Sequence, residues 1–231
     1  MPPEARARPL PVSAVLFDLD GTLADSAGDL AIAVNRMRAE RGLEPVSVES
    51  LRPHASAGAR GLLGAGMGVR PEDADYPLLR DTFLEYYAEG LDRTTRLFEG
   101  VAELIDALDE RALAFGIVTN KATRFTQRVV AALGLDSRAG AVVSGDTTAH
   151  PKPHPAPLLH AAALLRVAPE ACVYVGDDLR DVTAGNAAGM ATIVAEYGYL
   201  GEQGCAGDWP ATGWIARPLA LLDWLPAPRS R

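Results

Sequence analysis

The chain has 231 residues, a formal net charge of −8 and a sequence isoelectric point near 5.0, with 48% hydrophobic and 23% charged residues. That length and mix bury a full core as one large domain, or as a domain with an insert. The acidic balance, with no basic stripe, excludes a phosphate-backbone-binding surface, and no apolar run approaches a membrane span.

Residues 1–12 are expected to be a frayed tail. Arg6 and Arg8 precede Pro9, Leu10, Pro11 and Val12 with no sustained apolar stretch, so no signal peptide is read there. Ser13–Phe17 follows as a short apolar strand, and at its exit stand Asp18 and Asp20, then Gly21 and Thr22. Side chains alternate along a strand, so the two acids point the same way. Carboxylates that close repel, and they need a cation, a shared proton or wide exposure. A hard, oxygen-preferring ion such as magnesium suits the first option. Taken alone, the segment also reads as a plain Asp-Gly turn.

The next strand is expected only at Leu113–Val118, about a hundred residues beyond Asp18, whereas a parallel crossover needs about a dozen. An insert must fill the interval. Asp29–Arg41, Ser47–Leu51 and Tyr76–Gly90 carry helical spacings and Ser56–Gly68 is rich in glycine and alanine, so a small helical cap is expected at 24–94. An insert rooted beside a candidate site commonly serves as a lid or specificity element. Its loop Pro53-His-Ala-Ser-Ala-Gly-Ala-Arg-Gly61 offers Ser56 and Arg60, the latter able to grip a carboxylate bidentately or to stand solvated at a helix start. His54 reads as a surface residue.

Beyond the insert, helical patterns at Val101–Glu110, Thr123–Leu133, Pro157–Arg166 and Val182–Ala188 alternate with apolar runs at Ala141–Ser144, Ala171–Val175 and Ala191–Ala195. The alternation predicts an α/β fold, a Rossmann-like parallel sheet covered on both faces, built from 13–23 and 95–231, with ligands at the carboxyl ends of its strands. Thr119 and Asn120 end one strand; a hydroxyl and an amide there can donate to phosphate oxygens, although Thr-Asn is also a routine strand exit. Only two of the 22 basic residues are lysines, Lys121 and Lys152. Lys152 sits in His150-Pro-Lys-Pro-His-Pro155, where prolines restrict the backbone and a compact ammonium can reach into a site; a solvated loop lysine is the alternative. Lys121 reads equally as solvent-facing. Val173-Tyr-Val-Gly-Asp-Asp-Leu-Arg-Asp181 places Asp177 at a strand exit, with Asp178 or Asp181 able to cap the helix that follows. His150, His154 and His160 show no ligand pairing. Cys172, in an apolar run, and Cys205, in a Gly-rich loop, are unpatterned and point to a reducing cytoplasm. Pro226–Arg231 is expected to fray.

Strand ends that present Asp-x-Asp, Thr-Asn, a proline-framed lysine and Gly-Asp-Asp supply what phosphoryl transfer needs: a metal, donors for the equatorial oxygens, an in-line carboxylate nucleophile and an acid for the leaving group. In this order the segments resemble the haloacid dehalogenase superfamily, in its phosphatase branch with a helical cap, over roughly 13–225. Within it the chain is similar to the phosphoglycolate phosphatase group through Phe17-Asp-Leu-Asp-Gly-Thr-Leu-Ala-Asp-Ser26, Gly116-Ile-Val-Thr-Asn-Lys121, Lys152-Pro-His-Pro155 and Val175-Gly-Asp-Asp-Leu-Arg-Asp181. It is also similar to bacterial N-acetylmuramic acid 6-phosphate phosphatases, in Gly116 to Phe125, Tyr174 to Asp181 and Tyr197-Gly-Tyr199.

The resemblance implies that Asp18 is the nucleophile that becomes phosphorylated and Asp20 the acid and base, which also lends its backbone carbonyl to magnesium. It implies that Thr119 and Lys152 hold phosphoryl oxygens and that Asp177 ligates the metal with Asp18, while Asp178 and Asp181 stand behind those ligands or reach the metal through water. Asn120, Thr22, Arg60 and Ser56 join them as substrate-binding candidates. The expected activity is hydrolysis of a small acidic phosphomonoester, 2-phosphoglycolate first and N-acetylmuramic acid 6-phosphate as the alternative. Both carry a carboxylate, so Arg60 does not separate them. A sugar phosphomutase and a phosphoreceiver domain are rival readings, although receivers lack both a large helical insert and a strand-1 Asp-x-Asp. The partner is then a small phosphorylated metabolite, with no nucleic acid or membrane, for a cytoplasmic monomer or homodimer.

Overall fold

The computed structural model describes residues 9–201 and 206–228. Arg6, Arg8, Cys205 and residues 229–231 therefore lie outside the described residues. Where the expected tails are described, they are held rather than frayed. Leu10 N donates to Trp224 O, Val12 is buried, and Arg111 donates to the carbonyls of Leu222 and Pro226.

Strand β1 (Ala14–Phe17) is buried along its whole length. Val15 and Phe17 enter one hydrophobic cluster and Ala14 and Leu16 another, which is why its sequence is continuously apolar. The chain then leaves the sheet through β2 (Ala24–Asp25), which pairs antiparallel with β3 (Arg96–Leu97), so that outgoing and returning segments run side by side. Between them lie α1 (Ala27–Ala39), α2 (Val48–Leu51), a 3₁₀ turn at Arg52–Ala57, α3 (Gly58–Met67) and α4 (Tyr76–Gly90). Helix α3 falls where glycine and alanine gave no helical pattern. The glycine there serves close packing: a Cβ on Gly66 would stand 2.4 Å from Val34 Cγ1 on α1.

Helix α5 (Val101–Glu110), β4 (Ala114–Val118), α6 (Thr123–Ala132), β5 (Ala141–Val143), α7 (Ala156–Leu165), β6 (Cys172–Gly176), α8 (Leu179–Ala187), β7 (Ala191–Ala195) and β8 (Gly213–Ile215) complete the chain. The strands form an all-parallel six-stranded sheet in the order β5-β4-β1-β6-β7-β8. This is the expected Rossmann-like α/β core, with one strand, β8, that the sequence pattern did not mark. Apolar residues of α5 and α6 join the cluster of Phe17, and those of α7 and α8 join that of Leu16. Because the chain winds outward from β1 through β4 to β5 and then crosses back to β6, the order reverses beside β1, the place where sheets of this kind bind ligands. No helix among the described residues is long and apolar enough to cross a membrane.

Candidate active site

The carboxyl ends of β1, β4 and β6 converge on one point. Asp18 follows β1, and its backbone N–H is tied across to Val175 O of β6 at 2.9 Å. Asp177 follows β6, and one oxygen each of Asp18, Asp177 and Asp181 lie within 4.8 Å of one another. Gly21 makes this approach possible. Its φ of +86° is a conformation that side chains disfavour, and a Cβ there would stand 2.2 Å from Asp177 Oδ2.

Lys152 is the cation of this cluster. Its side chain is 3% exposed, with Nζ 2.9 Å from Asp18 Oδ1 and 2.8 Å from Asp181 Oδ1. Nζ also donates to Val118 O and to the hydroxyl of Tyr174, which in turn donates to Val118 O. Burial opposes the Lys152 charge, but Asp18 and Asp181 outweigh it and raise its pKa. The loop is fixed by Asn120, whose amide donates to Lys152 O and accepts from Lys152 N, both at 2.9 Å. Asn120, a substrate-binding candidate, lines the cavity as well, with each end of its amide also bonded to the lysine backbone.

One lysine does not balance three acids. Asp181 is the best satisfied, accepting from Lys152, from the Tyr174 hydroxyl and from Asp178 N. Asp18 Oδ1 is buried and, apart from the ion-pair contact with Lys152, accepts no aligned hydrogen bond. Burial pushes the Asp18 carboxyl up to about 6, against the pull of Lys152 and with the push of Asp181. Asp177 is raised well above the ordinary range by burial first and then by the charges of Asp18 and Asp181, although Thr22, Ser56 and the backbone of Tyr199 all donate to it. An all-oxygen set short of positive charge fits a hard divalent cation. Thr22 thus lies sealed beneath the site, bonded to Asp177, rather than facing a substrate.

Asp20 points into the same space with different partners. Ser26 Oγ donates to its Oδ1 at 2.5 Å, and Lys121 Nζ reaches both oxygens at 3.0 and 2.8 Å. Lys121, read equally as solvent-facing from sequence, has a side chain only 8% exposed. Its scarcity in this arginine-rich chain was the signal that it shared with Lys152. Ser26 is steadied by Tyr199, whose hydroxyl accepts from the backbone of Ser26 and Ala27 at the start of α1.

Asp178 and Asp181 form a reciprocal capping box at the start of α8, so both serve the helix as well as the site. Arg180, which no sequence signal marked, grips Asp178 through Nε and Nη2 and donates from Nη2 to Ser56 O. Ser56 thereby bridges the 3₁₀ turn to the sheet. A cavity of about 330 Å³ opens over the cluster, lined by Asp18, Asp20, Thr119, Lys121 and Lys152 and roofed by Ser56. Arg60 is exposed and outside that lining, because it points outward from the first turn of α3.

The family description Haloacid dehalogenase-like hydrolase matches residues 15–195. A Phosphoglycolate phosphatase of Xanthomonas campestris pv. campestris is 42% identical over 215 residues, covering 93% of this chain and 96% of that one. An N-acetylmuramic acid 6-phosphate phosphatase of Pseudomonas aeruginosa is 36% identical over 214 residues, covering 93% and 95%. Among solved structures, one described as a predicted phosphoglycolate phosphatase from Haemophilus somnus superposes with a TM-score of 0.78 at 25% identity, covering 92% of this chain and 97% of that one. The matched span carries Asp18, Asp20, Thr119, Lys152 and Asp177, and the relatives have nearly the same length: the chain belongs to the haloacid dehalogenase-like hydrolases.

Proposed function

We propose that this phosphatase is a magnesium-dependent hydrolase of small acidic phosphomonoesters, working in the cytoplasm through an aspartyl-phosphate on Asp18. The observation that carries the reading is the division of labour between two acids two residues apart. Asp18 faces Lys152 and the acidic cluster, whereas Asp20 is held away from it by Ser26 and Lys121.

Asp18, Asp177 and the backbone carbonyl of Asp20 would hold magnesium, with Asp181 behind them. Bound there, it would neutralise carboxylate and phosphoryl oxygens. Lys152 and Thr119 hold the phosphoryl oxygens. An oxygen of Asp18 forms a bond to phosphorus as the ester P–O bond breaks, and Asp20 passes its proton to the departing alkoxide. Asp20, now a carboxylate, takes a proton from water; the water oxygen attacks phosphorus, free phosphate leaves, and the Asp18 carboxylate is restored. Helices α1 to α4 act as a cap over residues 24–94, on a core of 13–23 and 95–231.

Phosphate release from 2-phosphoglycolate and N-acetylmuramic acid 6-phosphate, with magnesium and then with excess EDTA, tests the reading. Release is expected only with the metal. Isomerised product with little phosphate would point to a mutase, and full activity in EDTA would remove the metal from the site.

A further inference from the structure

One wall of the cavity is a single face of α4. Arg80, Phe83, Leu84 and Tyr87 recur at helical spacing and all line it, together with Arg124 and Phe125 at the start of α6. The Tyr87 ring sits beside Phe125, with centroids 5.3 Å apart, and Lys121 Nζ lies 4.8 Å from the centre of the Tyr87 ring. This end of the wall therefore adjoins Asp20.

Two features of the wall leave hydrogen-bonding capacity unused within the protein. The Tyr87 hydroxyl is buried beside the Lys121 ammonium, which can only donate to it, so the hydroxyl's own hydrogen has no acceptor among the described residues. An unsatisfied buried hydroxyl is costly and needs an occupant that accepts from it. Arg80 and Arg124 are the second feature. Both are exposed at the mouth of the cavity and neither forms an ion pair or hydrogen bond among the described residues, Arg124 lying over the Phe125 ring at 4.5 Å, whereas Lys121, Lys152 and Arg180 in the same cavity are all paired.

We propose that this wall is a subsite for the leaving group of a sugar-sized phosphomonoester acid, with its carboxylate held by Arg80 and Arg124 and its body against Phe83, Tyr87 and Phe125. The inference rests on the phosphatase reading of the same site. Length points to the substrate class. Arg80 precedes Tyr87 by seven residues, about 10 Å of rise along the helix. A two-carbon acid keeps its carboxylate two bonds from the ester oxygen, far short of that rise. A phosphorylated sugar bearing an acidic side arm can span it, and the cavity of about 330 Å³ lies within the ~300–1,000 Å³ typical of small-molecule sites.

The test compares N-acetylmuramic acid 6-phosphate with N-acetylglucosamine 6-phosphate, which lacks the carboxylate arm, and with 2-phosphoglycolate. The wild type is expected to prefer the first over both in kcat/KM. In an Arg80→Gln/Arg124→Gln double variant, the ratio between the two sugar phosphates is expected to fall at least about tenfold, the scale of a lost charge-assisted pair. The ratio is taken within one protein preparation, so partial unfolding cancels; Arg80→Lys is expected to retain part of it. A wild type that favours 2-phosphoglycolate, or a double variant with an unchanged ratio, overturns the subsite and leaves the phosphatase reading standing. A wild type that releases phosphate from none of the three overturns both.

Discussion

Lys121 Nζ bonds both carboxylate oxygens of Asp20, and Ser26 Oγ adds a third contact to the same group. The carboxylate is thereby fixed in plane and direction. Burial works against the Lys121 charge, but Asp20 outweighs it and raises the lysine pKa, so the ammonium persists at neutral pH. Lys121→Met keeps the apolar stem and removes the donor. If Asp20 protonates the leaving group, the variant should lose about 10²-fold in kcat on an alkyl phosphate, the lower range for general acid catalysis. It should lose far less on p-nitrophenyl phosphate, whose leaving group needs no proton. Equal losses on both substrates would reduce Lys121 to a structural role.

Asp18→Asn should abolish phosphate release, by on the order of 10⁴ or more, as removal of a nucleophile does elsewhere. The fold should survive. Burial pushes the Asp18 carboxyl up to about 6, so a neutral amide relieves a charge that the site disfavours, and Lys152 keeps Asp181. Thermal melting of the metal-free protein at pH 7.5 should therefore not fall. Transfer of radiolabelled phosphate to wild-type protein, absent in the variant, checks the covalent step directly; labelling of the variant would move the nucleophile elsewhere.

Much of this arrangement was legible because strand ends in a parallel sheet are local in sequence and convergent in space. Asp18, Thr119 and Asp177 each sit within a residue of a readable apolar strand. Contacts set by chain folding alone were not legible. Lys121 meets Asp20 across 101 residues, Tyr199 meets Ser26 across 173, and Arg180 meets Ser56 across 124. Arg60 shows the reverse failure. Ser56 of its loop reaches the cavity, but one helical turn decides whether a side chain faces in or out, and the arginines that line the cavity are Arg80, Arg124 and Arg180. Helix α3 was obscured by glycines that composition reads as loop and packing reads as contact.

Lys152→Arg conserves charge but not shape. The Lys152 ammonium is enclosed by Asp18, Asp181, Val118 O and the Tyr174 hydroxyl, all within 3.0 Å. A planar guanidinium cannot enter that space without displacing Asp18. Since misplacing a reacting group by about 1 Å costs on the order of 10²-fold, kcat/KM should drop by about that much. Steady-state kinetics within threefold of wild type would take the lysine out of the phosphoryl site.

Asp29 fastens the inserted helices to the returning chain. It is 1% exposed, and its two oxygens accept from the backbone and hydroxyl of both Thr94 and Thr95, at 2.6 to 3.2 Å. Burial alone would raise this carboxyl, but the four hydrogen bonds outweigh it and hold its pKa below the usual value. The sign follows from linkage: a folded-state pKa below the unfolded one stabilises the protein above the unfolded value near 4, and that stability is lost as pH falls through the folded value. Asp29→Asn turns one acceptor into a donor that faces donors, and should cost about 1–3 kcal/mol in urea unfolding at pH 7. The difference from wild type should shrink as the pH is lowered below about 4, because the unfolded wild-type chain then takes up a proton that the native carboxylate resists, until the native group is protonated too. A deficit that stays constant from pH 7 to pH 3 would show that the clamp acts through shape rather than through charge.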